Sequence, residues 1–471
     1  MKMEMKISSF MNVSNITTVP KRGSRVELTN ERGIFRVSLA RSILMRMIYD
    51  AEYPEIDANM SDCQMGGRKG KGCRNNIFIL NGIIHETRKS KNMKPLMFQI
   101  NDYEQMFDSI NLQEAISDVY DCGFNDDKLP LVYQANAEIE MAVNTPHGLS
   151  ERQTIKDIVL QGDTFGSILA SVQVDSIGKR CENSGYGYKY KNKLPISMLG
   201  LVDDIVGISE VGYKSHQMNT VINAKTAEKG LRFSATKCKT MLVGRCTEFP
   251  KTNALVVDSW KKQHVKNAQT GEEDLIESYE GKVEIEAVQK QKYLGFVISN
   301  LGGNMANILA AKKKSIGIIK QIFEKLNCLK LKKYYFECGL IFMNVMLRSS
   351  ILYASETYYD LKENELRAIE RIEEGYMRKL VKTTAGCPIV QLYLELSQIP
   401  ARFAIMRSRL LFLKDILNQK EDSRISLFVK LQLEQSTKGD WISTCLNDFK
   451  LLNISESLEG IKSMKITKTE T

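Results

Sequence analysis

The stretch MLGLVDDIVGIS, Met198 to Ser209, sets two adjacent aspartates, Asp203 and Asp204, inside an apolar run. Val202, Ile205, Val206 and Ile208 have the character of buried strand residues, and Gly200 and Gly207 bound the run. An unpaired carboxylate in such surroundings costs several kcal/mol, and a second one beside it adds repulsion. Two arrangements answer this. One is a hairpin tip where solvent takes both charges; the other is a metal site where divalent cations offset them. Neighbours in an extended segment point to opposite sides, so both carboxylates can serve one side only at a tight turn. The sequence therefore predicts a hairpin between SMLGLV and IVGIS. The metal reading needs a third carboxylate elsewhere in the chain.

At 471 residues the chain is long enough for two or three domains with a sizeable core. No run of eighteen apolar residues occurs, so no membrane-spanning helix is expected, and the N-terminal MKMEMKISSFMNV lacks the pattern of a secretory signal. Ten cysteines stand singly with no CxxC pair, beside four histidines, which argues against a disulfide framework and against a zinc knuckle or finger. The expectation is a reducing, intracellular compartment. A net charge of +10 points modestly to a polyanionic partner. The segment Ala306 to Lys333 sharpens this, with eight lysines against the single acid Glu324. Ile308, Leu309, Ile316, Ile319 and Phe323 give it an apolar helical face. The lysines then form either a solvated face or a phosphate-contacting one.

The first hundred residues mix short apolar runs with basic, glycine-rich loops such as GGRKGKGCRNN, Gly66 to Asn76, which lacks the Lys-Ser/Thr ending of a P-loop. NIFILNGIIHETRKS reads as an amphipathic helix, KPLMFQI (Lys94 to Ile100) as a short strand, and Asn111 to Gly123 as a helix. A turn containing LQGDTFG opens a further apolar helix, and another helix runs from about His216 to Lys229. Residues 245–290 are polar and strand-like in parts. Beyond Asn300 the pattern is helical: Ala306–Leu326, Tyr334–Tyr353, Glu363–Leu380 and Arg402–Leu417.

Asp102 ends the strand KPLMFQI and stands about a hundred residues before the Asp203–Asp204 pair. On neighbouring strands of one sheet the three would form a cluster able to hold two divalent ions for in-line phosphoryl transfer. The order of motifs resembles reverse transcriptases of non-LTR (LINE-type) retrotransposons, over roughly residues 20–460. NERGIFRVS (Asn30 to Ser38) resembles the fingers motif usually built on Asn-aromatic-Arg-Pro-Ile. QMGGRKGKGCRNNIFIL resembles the segment that usually reads Gln-x-Gly-Phe-Arg-x-Gly-Arg-Ser/Thr. DYEQMFDSI is similar to the first catalytic motif, LQGDTFGSILASV to the Gln-Gly motif, and LVDDIVGIS to the aromatic-x-Asp-Asp box. GLRFSATKCKTMLVG resembles the lysine-bearing motif and KYLGFVIS the primer grip.

The resemblance implies roles. Asp102, Asp203 and Asp204 match the positions that bind two Mg²⁺ ions, with Mn²⁺ as a substitute. Phe107 matches the aromatic beneath the incoming sugar, Arg32 the fingers arginine on the triphosphate, and Gln161 and Gly162 the residues near nucleotide and template. Lys237 matches the lysine beside the pyrophosphate, with Lys239 a close rival. Tyr293, Leu294 and Gly295 match the primer grip. Lys312, Lys313 and Lys314 are the candidate duplex-binding residues of the basic helix. The departures are Leu201 for the aromatic of the catalytic box and Gly33 for the proline after Arg32. A short segment before Asn30, and the lack of an endonuclease domain or a Cys/His knuckle, suggest a fragment or decayed copy.

The expected fold is α+β: a right-hand polymerase with fingers (1–95), an RRM-like palm with an antiparallel sheet (96–300), a helical thumb (301–382) and a helical connecting region with a polar tail (383–471). The implied partners are an RNA template, a DNA primer and dNTPs, with no membrane, and the place of action on chromosomal DNA is the nucleus. The rivals are a non-catalytic nucleic-acid-binding remnant and a viral RNA-dependent RNA polymerase, against which Phe107 speaks.

Overall fold

The computed structural model describes residues 7–20, 31–90, 93–244, 254–266, 273–328, 334–384, 386–435 and 439–452. Its central sheet has five strands in the order Glu286–Ala287, Lys239–Val243, Leu96–Asn101, Asp204–Glu210 and Met198–Leu201. All neighbours are antiparallel except the edge strand Glu286–Ala287, which runs parallel to Lys239–Val243. The middle strand, LMFQIN, is buried at every position, which explains why it reads as a short apolar run.

Side-chain alternation divides this sheet between two cores. Leu96, Phe98 and Ile100 join Val206, Ile208, Met241 and Val243 in the core shared with the helix Cys73–Lys89. Met97, Met198 and Ile205 face the other way, against Ile168, Leu169, Met218 and Ile222 of the helices Gly166–Asn183 and Tyr213–Glu228. Packing there is close: a Cβ on Gly207 would stand 2.7 Å from Ile222 Cδ1. Burying one side chain such as Phe98 contributes roughly 1.5–3 kcal/mol, so a one-residue register slip, which would exchange the two faces, is strongly disfavoured.

A second sheet pairs Val13–Pro20 antiparallel with Glu31–Val37 and parallel with Glu138–Thr145, which in turn pairs with Gln153–Lys156. The polar stretch before residue 290 forms a two-stranded ribbon, Val256–Lys266 with Glu273–Glu284. Asn111 caps the helix Leu112–Asp121, its side chain accepting from the Glu114 N–H at 3.2 Å.

From Met305 the chain is helical: Met305–Cys328, Tyr335–Phe342, Glu363–Val381, Ile389–Glu395, Ala401–Leu417, Arg424–Glu434 and Trp441–Leu451. These helices share one continuous core with the sheet and with Cys73–Lys89. Against the expectation that no segment would resemble a membrane span, Tyr335–Thr357 reaches a mean hydropathy of 1.3 over eighteen residues. About a third of that window is buried within the fold, and Phe336, Ile341 and Val345 are exposed. Met343, Leu347 and Ile351 are buried, and Arg348 within it pairs with buried Glu373 at 2.8 Å. The whole is the α+β class expected from the sequence.

Candidate active site

Asp203 and Asp204 stand at a tight β-hairpin turn. Leu201 pairs with Asp204, leaving Val202 and Asp203 as a two-residue loop. Val202 has φ 56°, and among the described residues Asp203 is not in the positive-φ region. That sign pattern belongs to a II′ turn, which normally has glycine at its first central position. Asp203 is exposed and Asp204 half-buried. Asn101 pairs with Ile205, so the next register step sets Asp102 against Asp204. The Ser234 N–H donates to the Asp102 carbonyl at 2.9 Å and fixes this strand end.

The electrostatics join the three carboxylates. Burial pushes the Asp204 carboxyl up to about 6, the Asp203 and Asp102 charges push in the same direction, and Lys237 opposes them. Lys237 Nζ lies 3.0 Å from Asp102 Oδ1. Lys239 turns away, bonding Glu286 at 2.8 Å and the Thr236 carbonyl at 2.7 Å. Geometry thus brings Lys237, and not Lys239, into the carboxylate field. The donor set is hard oxygen, which suits Mg²⁺ or Mn²⁺. Among the described residues no three His, Cys, Asp or Glu side chains already converge as a ligand set. The residues therefore fit a divalent ion in chemistry and shared field, and their carboxylates would have to turn inward to ligate one.

Phe107 lies on the one-turn helix Met106–Ser109, entered through Gln105 at φ 47°. It is half-buried against the second core. Gln161 and Gly162 form the turn before the helix Gly166–Asn183, and Gly162 takes φ 104°, the left-handed region that favours glycine. The next residue, Asp163, makes a buried 2.7 Å ion pair with Arg41, which also bonds Asn136 and the Ala135 carbonyl. Arg32 lies on the strand Glu31–Val37, its Cα opposite Val19.

Tyr293, Leu294 and Gly295 form a second hairpin, Lys290–Tyr293 with Phe296–Ser299. Leu294 at φ 49° and Gly295 at φ 84° make its turn. Tyr293 is buried at 2% exposure, where Asn76 Nδ2 donates to its hydroxyl at 3.4 Å; Lys290, Lys292 and Gly295 are the exposed residues of this element. The helix Met305–Cys328 begins beside this hairpin, Asn307 Oδ1 accepting from the Val297 N–H at 3.0 Å. Lys312, Lys313 and Lys314 are all exposed two turns further along; the later lysines of that run, 330, 332 and 333, lie outside the described residues.

A family model described as "Reverse transcriptase (RNA-dependent DNA polymerase)" matches residues 19–298. The chain belongs to the reverse transcriptase family. The match takes in the three aspartates, Phe107, the Gln-Gly turn, Lys237 and the Leu294–Gly295 hairpin. A search of curated proteins finds no match. Similar solved structures include apo telomerase from Candida tropicalis, at 11% identity and TM-score 0.44 over 98% of this chain and 68% of that one. Telomerase from Candida albicans with a TWJ fragment of telomeric RNA gives 12% identity and TM-score 0.39 over 90% and 66%. The BmCPV RNA-dependent RNA polymerase gives 15% and 0.32 over 48% and 20%. The chain spans 55% of a truncated apo C. tropicalis telomerase. At such low scores these likenesses add nothing to the site geometry.

Several residues that hold these two hairpins escape sequence reasoning. Gln64, fully buried, bonds the backbone of Val202. Asn76 bridges both hairpins, donating to the Gly200 carbonyl at 3.0 Å and to Tyr293. Arg424, from the C-terminal helices, donates to the Met198 carbonyl at 3.1 Å and pairs with Glu182. Gln64 and Asn76 both lie in the segment QMGGRKGKGCRNNIFIL, but all three residues act across more than a hundred positions.

Proposed function

We propose that the chain is the polymerase core of a non-LTR retrotransposon reverse transcriptase, extending the 3′-hydroxyl of a DNA primer on an RNA template with dNTPs. The observation that supports this reading is the strand register, which sets Asp102 against Asp204 beside the Val202–Asp203 turn. When bound, two divalent ions would activate the 3′-hydroxyl and offset charge on the leaving pyrophosphate. The chain's own residues do the rest. Asp102 and Asp203 hold the ions and Asp204 is the more peripheral partner. Lys237 meets the pyrophosphate and Arg32 the triphosphate, Phe107 underlies the sugar, and Gln161 and Gly162 adjoin nucleotide and template. The turn Leu294–Gly295 and Lys312, Lys313 and Lys314 meet the duplex. In this reading residues 1–95 are fingers, 96–300 palm, 301–382 thumb and 383–471 a connecting region, acting on chromosomal DNA in the nucleus.

A second reading, a nucleic-acid-binding remnant without catalysis, is favoured by the unconverged carboxylates and by the engagement of Asp102 with Lys237. Primer extension separates them. With Mg²⁺, an RNA template and dNTPs, the first reading expects DNA product. Phe107→Ala should admit ribonucleotides by removing the side chain that crowds the 2′-hydroxyl. Duplex binding without any extension would leave the remnant reading, and extension with ribonucleotides in preference to dNTPs would indicate an RNA polymerase.

A further inference from the structure

Val202 carries the strain of the catalytic turn. A β-branched residue at φ 56° is an outlier, because its side chain crowds the backbone in the left-handed region, and neither glycine nor asparagine relieves it here. Both polar groups of its backbone are held by one side chain. The Val202 N–H donates to Gln64 Oε1 at 2.8 Å, and the Val202 carbonyl accepts from Gln64 Nε2 at 3.2 Å. Gln64 is 0% exposed, and its Oε1 also accepts from the Gly66 N–H at 2.8 Å. Only a primary amide supplies an acceptor and a donor in this geometry.

The brace is itself anchored. Arg68, nearly buried, donates to the Gln64 carbonyl at 3.0 Å and pairs with Asp57 at 2.6 Å. Gly200 and the 63–65 segment exchange backbone bonds, Gly200 N–H to Cys63 O at 2.6 Å and Met65 N–H to Gly200 O at 2.9 Å. Gly66 passes so close to the turn that a Cβ there would stand 2.5 Å from both Val202 N and Cγ2. The glycine-rich loop is therefore shaped to the turn that precedes Asp203.

We propose that Gln64 is a positioning residue for the carboxylate site: it holds Val202 in the left-handed conformation and so fixes where Asp203 and Asp204 stand. This rests on the polymerase reading for its effect on turnover, and on the hydrogen bonds alone for its effect on the turn. Its side chain touches no reacting atom, so its loss should lower kcat and spare primer–template affinity.

The test uses the full chain with Gln64→Ala, Gln64→Glu and each combined with Val202→Gly. It reads primer-extension kcat and KM, duplex affinity, and amide hydrogen exchange at Val202. Gln64→Ala should lower kcat about 10- to 100-fold, the effect of displacing a catalytic group by roughly an ångström, while changing duplex affinity less than about 2-fold. Exchange at Val202 should quicken by at least about 10-fold as its N–H loses its acceptor. Gln64→Glu, which sets an acceptor against the Val202 carbonyl, should also lose kcat, and it decides the matter if the alanine variant does not fold. Adding Val202→Gly should recover kcat about 5-fold or more in either background, since glycine takes positive φ unaided. Unchanged exchange and unchanged kcat in Gln64→Ala would overturn the proposal. So would a loss that Val202→Gly does not recover, which would make Gln64 a packing residue only. If the wild-type chain extends no primer, the polymerase reading fails, and exchange at Val202 alone decides the Gln64 inference.

Discussion

The two hairpins at the centre of this molecule meet one geometric problem with different amounts of support. Each has a two-residue turn that demands positive φ. At Leu294–Gly295 only the second position is glycine, at φ 84°; the first is leucine at φ 49°, and the Tyr353 hydroxyl donates to its carbonyl at 2.8 Å. Glycine relieves one of the two positions of that turn. At Val202–Asp203 the chain supplies valine at φ 56° and recruits a buried glutamine 138 positions away to hold it. The glutamine couples this turn to the basic loop, and the strand leading into it is held by Asn76 at Gly200 and by Arg424 of the C-terminal helices at Met198. Position matters more where carboxylates must converge than where a backbone turn meets a duplex, and the costlier support stands at the carboxylates.

The largest expected effect separates the hairpins by chemistry. Asp203→Asn should reduce primer extension by about 10²–10³-fold, as loss of a preorganised charge-stabilising group does, with duplex affinity little changed. Extension at the wild-type rate would make the pair a solvated turn. A smaller effect separates them by packing. Gly66→Ala forces a Cβ into Val202 and should destabilise by about 2–3 kcal/mol. Gly295→Ala faces φ 84° and a 3.2 Å approach to Tyr353, and should cost about 1–2 kcal/mol. Thermal melts that reverse this order would break the comparison.

A pH scan sharpens it by probing the scaffold both hairpins share. The helix Cys73–Lys89 carries Asn76 near one end and Glu86 near the other. Burial pushes the Glu86 carboxyl up from 4.5 to about 7, against Lys191 and the Tyr188 hydroxyl. A raised carboxylate pKa means that the folded state binds the extra proton. Stability should therefore rise as pH falls through 7 and level off near 4.5, by on the order of 2 kcal/mol. Glu86→Gln should flatten that rise without altering exchange at Val202. A profile unchanged by the substitution would mean that Glu86 plays no part in it. The smallest effect concerns the helix beside the glycine turn. Replacing Lys312, Lys313 and Lys314 with glutamine should reduce the salt slope of duplex binding by about 0.7–0.9 for each phosphate that the helix no longer neutralises. An intact slope would leave those lysines a solvated face.

How legible each hairpin was follows from the same contrast. Asp203 and Asp204 within an apolar run predict a tight turn by period alone, and the turn is there. The helical region after residue 300 also reads directly from spacing, with Met305–Cys328 and Glu363–Val381 within about two residues of expectation. Asp102 could be offered as a partner of the aspartates from its place at a strand end, and the family resemblance then supported the pairing, because strand adjacency is not written locally. Tyr293 reads as a primer-grip residue, yet its ring is core, since the strand's alternation turns it inward. Lys237 and Lys239 are equivalent in sequence; only the fold separates them, giving one to Asp102 and the other to Glu286. The support of Val202 was not legible as such: Gln64 stands in a segment that resembles a family motif, but nothing local ties it to a turn 138 positions away.

The central claim is that Asp102 and the braced Asp203–Asp204 turn form one divalent-ion site. Titrating Mn²⁺ into the full chain, with electron paramagnetic resonance reading free ion and Mg²⁺ as competitor, tests it without recourse to activity. The account predicts Mg²⁺-competed Mn²⁺ binding that weakens at least about 10-fold in Asp102→Asn and in Asp203→Asn, as expected for loss of a charged ligand. Superimposable titrations for wild type and both variants would contradict it.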